Sequence, residues 1–208
     1  MEIRRYDPAD EPVLYQICLR TGDSGRDATG QYADPRLLGH VYLGPYLALE
    51  RRFALVLDRG DAIPVGYAVA ALDSVDFARR CEDRWWPPLR RRYPDPDPDP
   101  DSDPVAVPAA ERSPDQRLAG LVHHPPPVPA AAERYPSHLH IDLLPAAQGG
   151  GHGRALLTRL LALLAQAGSS GVHAGVDPAN QPALGFYRRL GFAELGRDPG
   201  VIWFGRNL

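Results

Sequence analysis

The chain has 208 residues, 44% of them hydrophobic, and 23 basic against 26 acidic side chains leave a net charge of -3. That length and apolar content suit a globular fold with a buried core, and the slight acidity argues against nucleic acid as a general partner. All 23 basic residues are arginine, which reads as the coding bias of a GC-rich genome. Cys18 and Cys81, far apart in sequence, read as two buried thiols in a reducing compartment. Met1 to Tyr6 form no apolar leader and no run is long enough to span a bilayer, so the expected location is cytoplasmic, with no membrane partner.

Glu2 to Tyr6 reads as a first strand. Asp7-Pro8-Ala9-Asp10 makes a turn, and Asp10 is placed to cap a helix with Val13, Leu14, Ile17 and Cys18 on its apolar face. Arg20 to Asp27, rich in glycine and small polar residues, reads as a loop, and residues 35–49 as a second helical segment. Phe53 to Asp58, a turn at Arg59-Gly60-Asp61 and Ile63 to Leu72 form a hairpin. Residues 73–136 then separate this hairpin from the next strand. Within them, Phe77, Cys81, Trp85, Trp86, Leu89 and Tyr93 fall at roughly helical spacing, one or two helices. Residues 94–104 alternate Asp and Pro, which removes backbone donors and leaves an extended acidic segment. Pro125-Pro126-Pro127 is a second breaker, and an exposed or partly disordered loop is expected between the two.

From His138 to Leu144 polar and apolar residues alternate, a half-buried strand with His138, His140 and Asp142 on one face. Leu156, Leu157, Leu160, Leu161 and Leu164 follow at helical spacing, with Gly168 as a stop. Between strand and helix lies Gln148-Gly149-Gly150-Gly151-His152-Gly153-Arg154. A glycine-rich turn feeding a helix start gathers unpaired N–H groups and the positive end of the helix dipole, a site for phosphate or pyrophosphate; its plain alternative is a tight turn. A Walker loop is excluded because the chain has no lysine. The dinucleotide pattern fails because Leu156 or Arg154 stands where its last small residue belongs. What remains is Gln-x-x-Gly-x-Gly: Gln148, Gly151, Gly153. Gly171 to Val176 reads as a strand. Asn180 caps a further helix that has Pro182 in its first turn and ends at Gly191. Phe192 to Gly196 and Val201 to Phe204 are the last strands.

The Gln148–Gly153 pattern resembles the acetyl-CoA loop of the GCN5-related N-acetyltransferases. Asn180-Gln-Pro-Ala-Leu-Gly-Phe-Tyr-Arg-Arg-Leu-Gly-Phe192 is similar to a second segment of that family, in the family's order and at about its spacing. Val65-Gly66-Tyr67 fits the centre of its third strand. Cys18 to Gly25, Cys81 to Pro87, Arg92-Tyr93-Pro94 and Pro136 to Pro145 resemble one branch, the C-terminal acetyltransferase-like domain of animal O-GlcNAcase and its free-standing bacterial relatives. The resemblance implies an α/β fold with a central mixed, mostly antiparallel twisted sheet of about seven strands flanked by helices. It implies one such domain over residues 1–208 with an insertion at 73–136, and pairing of two copies through the last strands is common among its members.

The resemblance also implies acetyl-CoA as co-substrate, held by Leu143, Leu144, Gln148, Gly149, Gly150, Gly151, His152, Gly153, Arg154, Asn180 and Tyr187. The main-chain N–H of Leu143 would polarise the thioester carbonyl. Tyr187 would return a proton to the departing thiolate, or else simply packs with Leu184 and Leu190. Asp142 or His140 would be the base for the incoming amine: histidine is nearer neutral unperturbed, whereas Asp142 needs a raised pKa or a water relay. The loop holding Asp23, Ser24 and Asp27 would line the acceptor site, or be a solvated loop. Arg188 and Arg189 would meet the nucleotide phosphates, or be a solvated face. A zinc site from His138, His140 and Asp142 lacks a cysteine partner, and no metal is expected. The implied activity is N-acetyl transfer to an amine or protein acceptor by direct attack on the thioester. The alternative is an acetyl-CoA-binding pseudo-enzyme that recognises a partner, since the animal members of the branch look degenerate at the cofactor loop.

Overall fold

The computed structural model describes residues 1–60, 62–98 and 107–208. Asp61 of the hairpin turn and residues 99–104 of the Asp-Pro run lie outside the described residues.

Strand β1 (Glu2–Arg5) leads through a short 3-10 turn into α1 (Glu11–Thr21). Asp10 does not cap α1 with its side chain. Its carboxylate is buried and is satisfied instead by Arg4, whose two terminal nitrogens each donate at 2.7 Å. A forked guanidinium holds a buried carboxylate better than a helix amide would. Asp7 takes over the turn, accepting from the Ala9 N–H at 2.9 Å. Residues 35–49 hold two helices rather than one, α2 (Leu37–Tyr42) and α3 (Gly44–Leu49). Pro45 lies in the first turn of α3, where the missing N–H is tolerated; inside one continuous helix it would break the ladder.

Strands β2 (Ala54–Asp58) and β3 (Pro64–Ala71) form the expected hairpin. Next come α4 (Ser74–Arg80), a π-helical turn at Cys81–Trp85, and α5 (Trp86–Arg92). The expectation of an exposed loop between the two proline clusters is corrected by α6 (Pro114–His123). Ser113 and Gln116 form a reciprocal capping box at its start, and Leu118, Ala119 and Val122 join the core beneath α1 to α5. Compositional bias hid this helix, because its apolar face is only three residues long. Near its C-terminus His124 contacts Asp95 at 2.9 Å.

A short helix, α7 (Ala131–Arg134), leads into β4 (Ser137–Leu143), followed by α8 (His152–Gln166), β5 (Gly171–Val176), α9 (Gln181–Arg189), β6 (Ala193–Asp198) and β7 (Val201–Asn207). Among the described residues the seven strands form one sheet in the order β1-β2-β3-β4-β5-β7-β6. Every pairing is antiparallel except β4 with β5. One face carries Tyr67, Val69 and Ala71 into the core formed with α1 to α6. The other packs Ala68, Ala70 and Leu139 on the leucines of α8. Leu156, Leu157, Leu160 and Leu164 are fully buried there, each contributing about 2 kcal/mol of apolar transfer.

The two strands at the centre part company. β4 and β5 are paired only at Ser137↔Val172 and His138↔His173. Beyond that point β4 stays with β3, as far as Gly66↔Leu143, while β5 stays with β7, as far as Val176↔Ile202. A wedge opens between them, and the glycine loop and the start of α9 stand at its mouth.

Candidate active site

The wedge is a cavity of about 760 Å³. One wall is β4 from Leu139 to Leu143, with Gln148, Gly149, Gly151, Gly153 and Arg154 of the following turn. The other wall is Gly175, Val176 and Asp177 at the end of β5, with Asn180, Phe186, Tyr187 and Arg189 of α9. Thr21, Ser24, Gly25 and Arg26 from the end of α1 reach in from a third side.

The backbone supplies the donors. Leu144 N–H donates to Val65 C=O at 2.9 Å. Amides alternate along a strand, so those of Ile141 and Leu143 point the other way, into the wedge. Helix α8 has no side-chain cap, and its first hydrogen bond within the helix joins Ala155 N–H to Gly151 C=O. The amides of the preceding turn are therefore left without intrahelical partners, where the helix dipole is positive. Gly149 and Gly151 stand at φ +80° and +79°, and no atom comes within 4 Å of a Cβ built on either, so their backbone is bare toward the cavity. Gly153 brings the start of α8 close to α9: a Cβ there would sit 3.2 Å from the Phe186 ring, tighter than ordinary contact. The Gln148 side chain donates to Leu143 C=O at 2.9 Å. This donor set, neutral amides plus Arg154 and Arg189, fits a pyrophosphate and a pantetheine arm. Leu144, Gly150 and His152 flank the loop but are not part of the cavity wall.

The titratable groups divide by what they touch. His138 has both ring nitrogens engaged: the Ser74 hydroxyl donates to Pro136 C=O, so Nδ1 donates to Ser74 Oγ at 2.7 Å, and Tyr46 donates to Nε2 at 2.7 Å. Burial holds it neutral, far below its ordinary pKa. His140 lines the cavity beneath the Tyr46 and Tyr42 rings, and burial with the neighbouring His173 pushes it down to about 4. Asp142 accepts from Tyr67 Oη at 2.6 Å and faces Thr21 Oγ1 at 3.1 Å. Burial raises its carboxyl, and the two hydroxyl donors offset part of the rise. Tyr187, 6% exposed, is raised by burial and by the charge of Asp142, so its phenol keeps its proton at neutral pH. Among the described residues no group of three His, Cys, Asp or Glu side chains is arranged to hold a metal, and no helix is long and apolar enough to cross a membrane.

The α1 loop divides differently from its sequence reading. Ser24 lines the cavity, but its hydroxyl donates to Asp177 at 2.6 Å, tying this loop to the end of β5. Asp23 pairs with Arg26 at 3.1 Å, and Asp27 accepts from the Thr29 N–H at 2.8 Å in an exposed turn outside the cavity wall. Asn180 uses Oδ1 to cap α9 through the Ala183 N–H at 3.1 Å and still lines the wedge. Arg189 reaches the cavity, whereas Arg188 pairs with Glu194 at 3.1 Å and lies over the Phe204 ring. Sequence reasoning missed Thr21, the Tyr67 hydroxyl and Asp177. Two of them had a signal without a role: Tyr67 stood in the Val-Gly-Tyr run, and Thr21 in the run from Cys18 to Gly25.

A strand pair that splays beside an uncapped, glycine-led helix forms a cleft lined with backbone donors. The acetyltransferase (GNAT) family pattern matches residues 75–192, and the chain belongs to that family; it is an acyltransferase. The structure called SsHAT is 38% identical and superposes with a TM-score of 0.89, covering 99% of this chain and 97% of that one. Protein O-GlcNAcase of Rattus norvegicus is 28% identical over 99% of this chain. That match takes up 22% of the relative, so the chain spans about a fifth of the curated relatives it matches first. The fold is shared with yncA of Salmonella typhimurium, a putative acetyltransferase solved with acetyl-CoA, at a TM-score of 0.54 and 16% identity, covering 100% of this chain and 94% of that one.

Proposed function

We propose that the chain transfers the acetyl group of acetyl-CoA to an amine by direct attack on the thioester. The observation that carries this reading is the wedge itself. It sets the free N–H of Leu143 beside the bare glycine loop, with Asp142 and Tyr187 opening into the same cavity. Bound acetyl-CoA supplies an activated acyl carbon. The amides of residues 151–154 and Arg154 hold its phosphates, and the Leu143 N–H lies where oxyanion charge develops. Asp142 takes the proton of the incoming ammonium. Burial raises its carboxyl toward the range of a useful base, whereas burial has made His140 a weaker base than an ordinary histidine. Tyr187 keeps its proton until the thiolate leaves. Ser24 and Thr21 border the side from which an acceptor enters.

Calorimetric titration of acetyl-CoA tests the first half, with a stoichiometry near one expected. An amine panel with Asp142→Asn tests the second. Turnover should fall by about 10²–10⁴-fold, the usual worth of a general base, while acetyl-CoA affinity stays. Unchanged turnover would remove Asp142 from this role.

A further inference from the structure

Tyr67 stands at the middle of β3, directly opposite Asp142 in register, and is wholly buried. Its phenol donates to one carboxylate oxygen at 2.6 Å. The other oxygen faces Thr21, whose single proton is contested. The Ile17 carbonyl one turn back is at 2.9 Å, against 3.1 Å to Asp142, so the Thr21 proton is divided between the two acceptors. Tyr67, at 2.6 Å, is the closer of the two donors. Cys18, in the same buried cluster as Tyr67, has its thiol pushed up by burial to about 12, so it carries no charge at neutral pH.

The groups facing Asp142 are Tyr67 on β3, Thr21 and Cys18 on α1, His140 on β4 and Tyr187 on α9. His140 is held uncharged and Tyr187 protonated at neutral pH. No cation among them stabilises the carboxylate, so that task falls to hydrogen-bond donors.

We propose that Tyr67 is a positioning residue for Asp142: its phenol aims the carboxylate into the wedge and stabilises the charged form that accepts the acceptor's proton. The role rests on the assignment of Asp142 as base.

The direct test is 13C NMR titration of aspartate carboxyls in the ligand-free protein, with Asp142 assigned by Asp142→Asn. Tyr67→Phe is nearly isosteric and removes only the donor. It should raise the Asp142 midpoint by about one unit, the worth of one strong hydrogen bond to a carboxylate. Replacing Tyr67 by ring-fluorinated tyrosine, a stronger donor of the same shape, should lower it; this variant decides the matter if Tyr67→Phe fails to fold. A midpoint that stays put in both, or moves the other way, overturns the proposal. With an amine that the wild type acetylates, the acid limb of kcat/KM should move up with the midpoint in Tyr67→Phe. The loss should then be about tenfold below the limb and recover at alkaline pH, since one unit is a factor of ten. A pH-independent loss would mark Tyr67 as structural only. If Asp142→Asn keeps turnover, the base assignment and the positioning role fall together. If it is inactive and the Tyr67→Phe limb is unshifted, the role of Tyr67 alone falls.

Discussion

Gly151 shows how much one residue carries. It is the N-cap of α8 at φ +79°, and the space beside its Cα is open to the cavity. Gly151→Asp places a carboxylate at a helix N-terminus, where it is locally favourable, so the fold should survive at a cost of about 1 kcal/mol for the left-handed backbone. The same carboxylate occupies the place of a phosphate and repels it. Acetyl-CoA binding by calorimetry should vanish while the melting temperature changes little; retained affinity would mean that the loop does not hold the phosphates. Tyr187 offers the complementary case. Its ring packs on Phe192 and Phe204, which Tyr187→Phe preserves. Turnover should drop at least about tenfold, within the range for a lost proton donor, with acetyl-CoA affinity unchanged within a few-fold. Wild-type turnover in this variant would leave Tyr187 a packing residue. Both residues were legible in the sequence through local patterns. The meeting of Thr21 with Asp142 was not, because it spans 121 residues and leaves no local trace.

At the scale of elements, α8 does two jobs at once. Its leucines fasten it across β2, β3 and β4, and that fastening aims its N-terminal amides at the wedge. Leu160 is fully buried. Leu160→Ala should cost about 2–5 kcal/mol through lost transfer energy and a residual cavity. Denaturant unfolding would read this, and a loss below about 1 kcal/mol would mean that the site collapses freely. The helix was readable because five leucines recur on one face. α6 was not, since its three core residues sit in a proline-rich stretch and gain meaning only from the surface they cover. The split between α2 and α3 also reflects the third dimension: Gly44 lets the backbone press against Tyr15 and Trp85, and a Cβ there would collide with both.

At the scale of the whole molecule, four histidines sit well inside the fold in their neutral form: His40 and His140 pushed to about 4, His138 far below its usual value, and His173 lowered, all chiefly by burial. The unfolded chain takes up these protons near pH 6.5, whereas the folded chain resists them. Below about 6.5 the unfolded state therefore binds more protons, and stability falls as pH falls; above it the effect is absent. Lowering the pH from 7.5 to 5 should reduce the melting temperature by at least about 5 °C, a loss of roughly 2 kcal/mol for a chain of this length. A flat melting curve across that range would mean that these side chains are far better solvated than their packing indicates.

The local chemistry was determined by the sequence itself. Alternation set which face of β4 carries His138, His140 and Asp142, the glycines set where the chain turns back-bare before α8, and the leucine spacing set the helix that follows. These are short-range consequences of steric freedom and hydrophobic period, and a single chain displays them. The partners were decided only by the tertiary structure. That β4 leaves β5 after His138 depends on two different neighbours, β3 and β7, each holding its own strand in register. That His138 is locked between Ser74 and Tyr46 while Asp142 meets Tyr67 depends on which helices cover that face. Hydrophobic burial is non-directional, so a sequence specifies that a face is covered, and only the packed fold specifies by what.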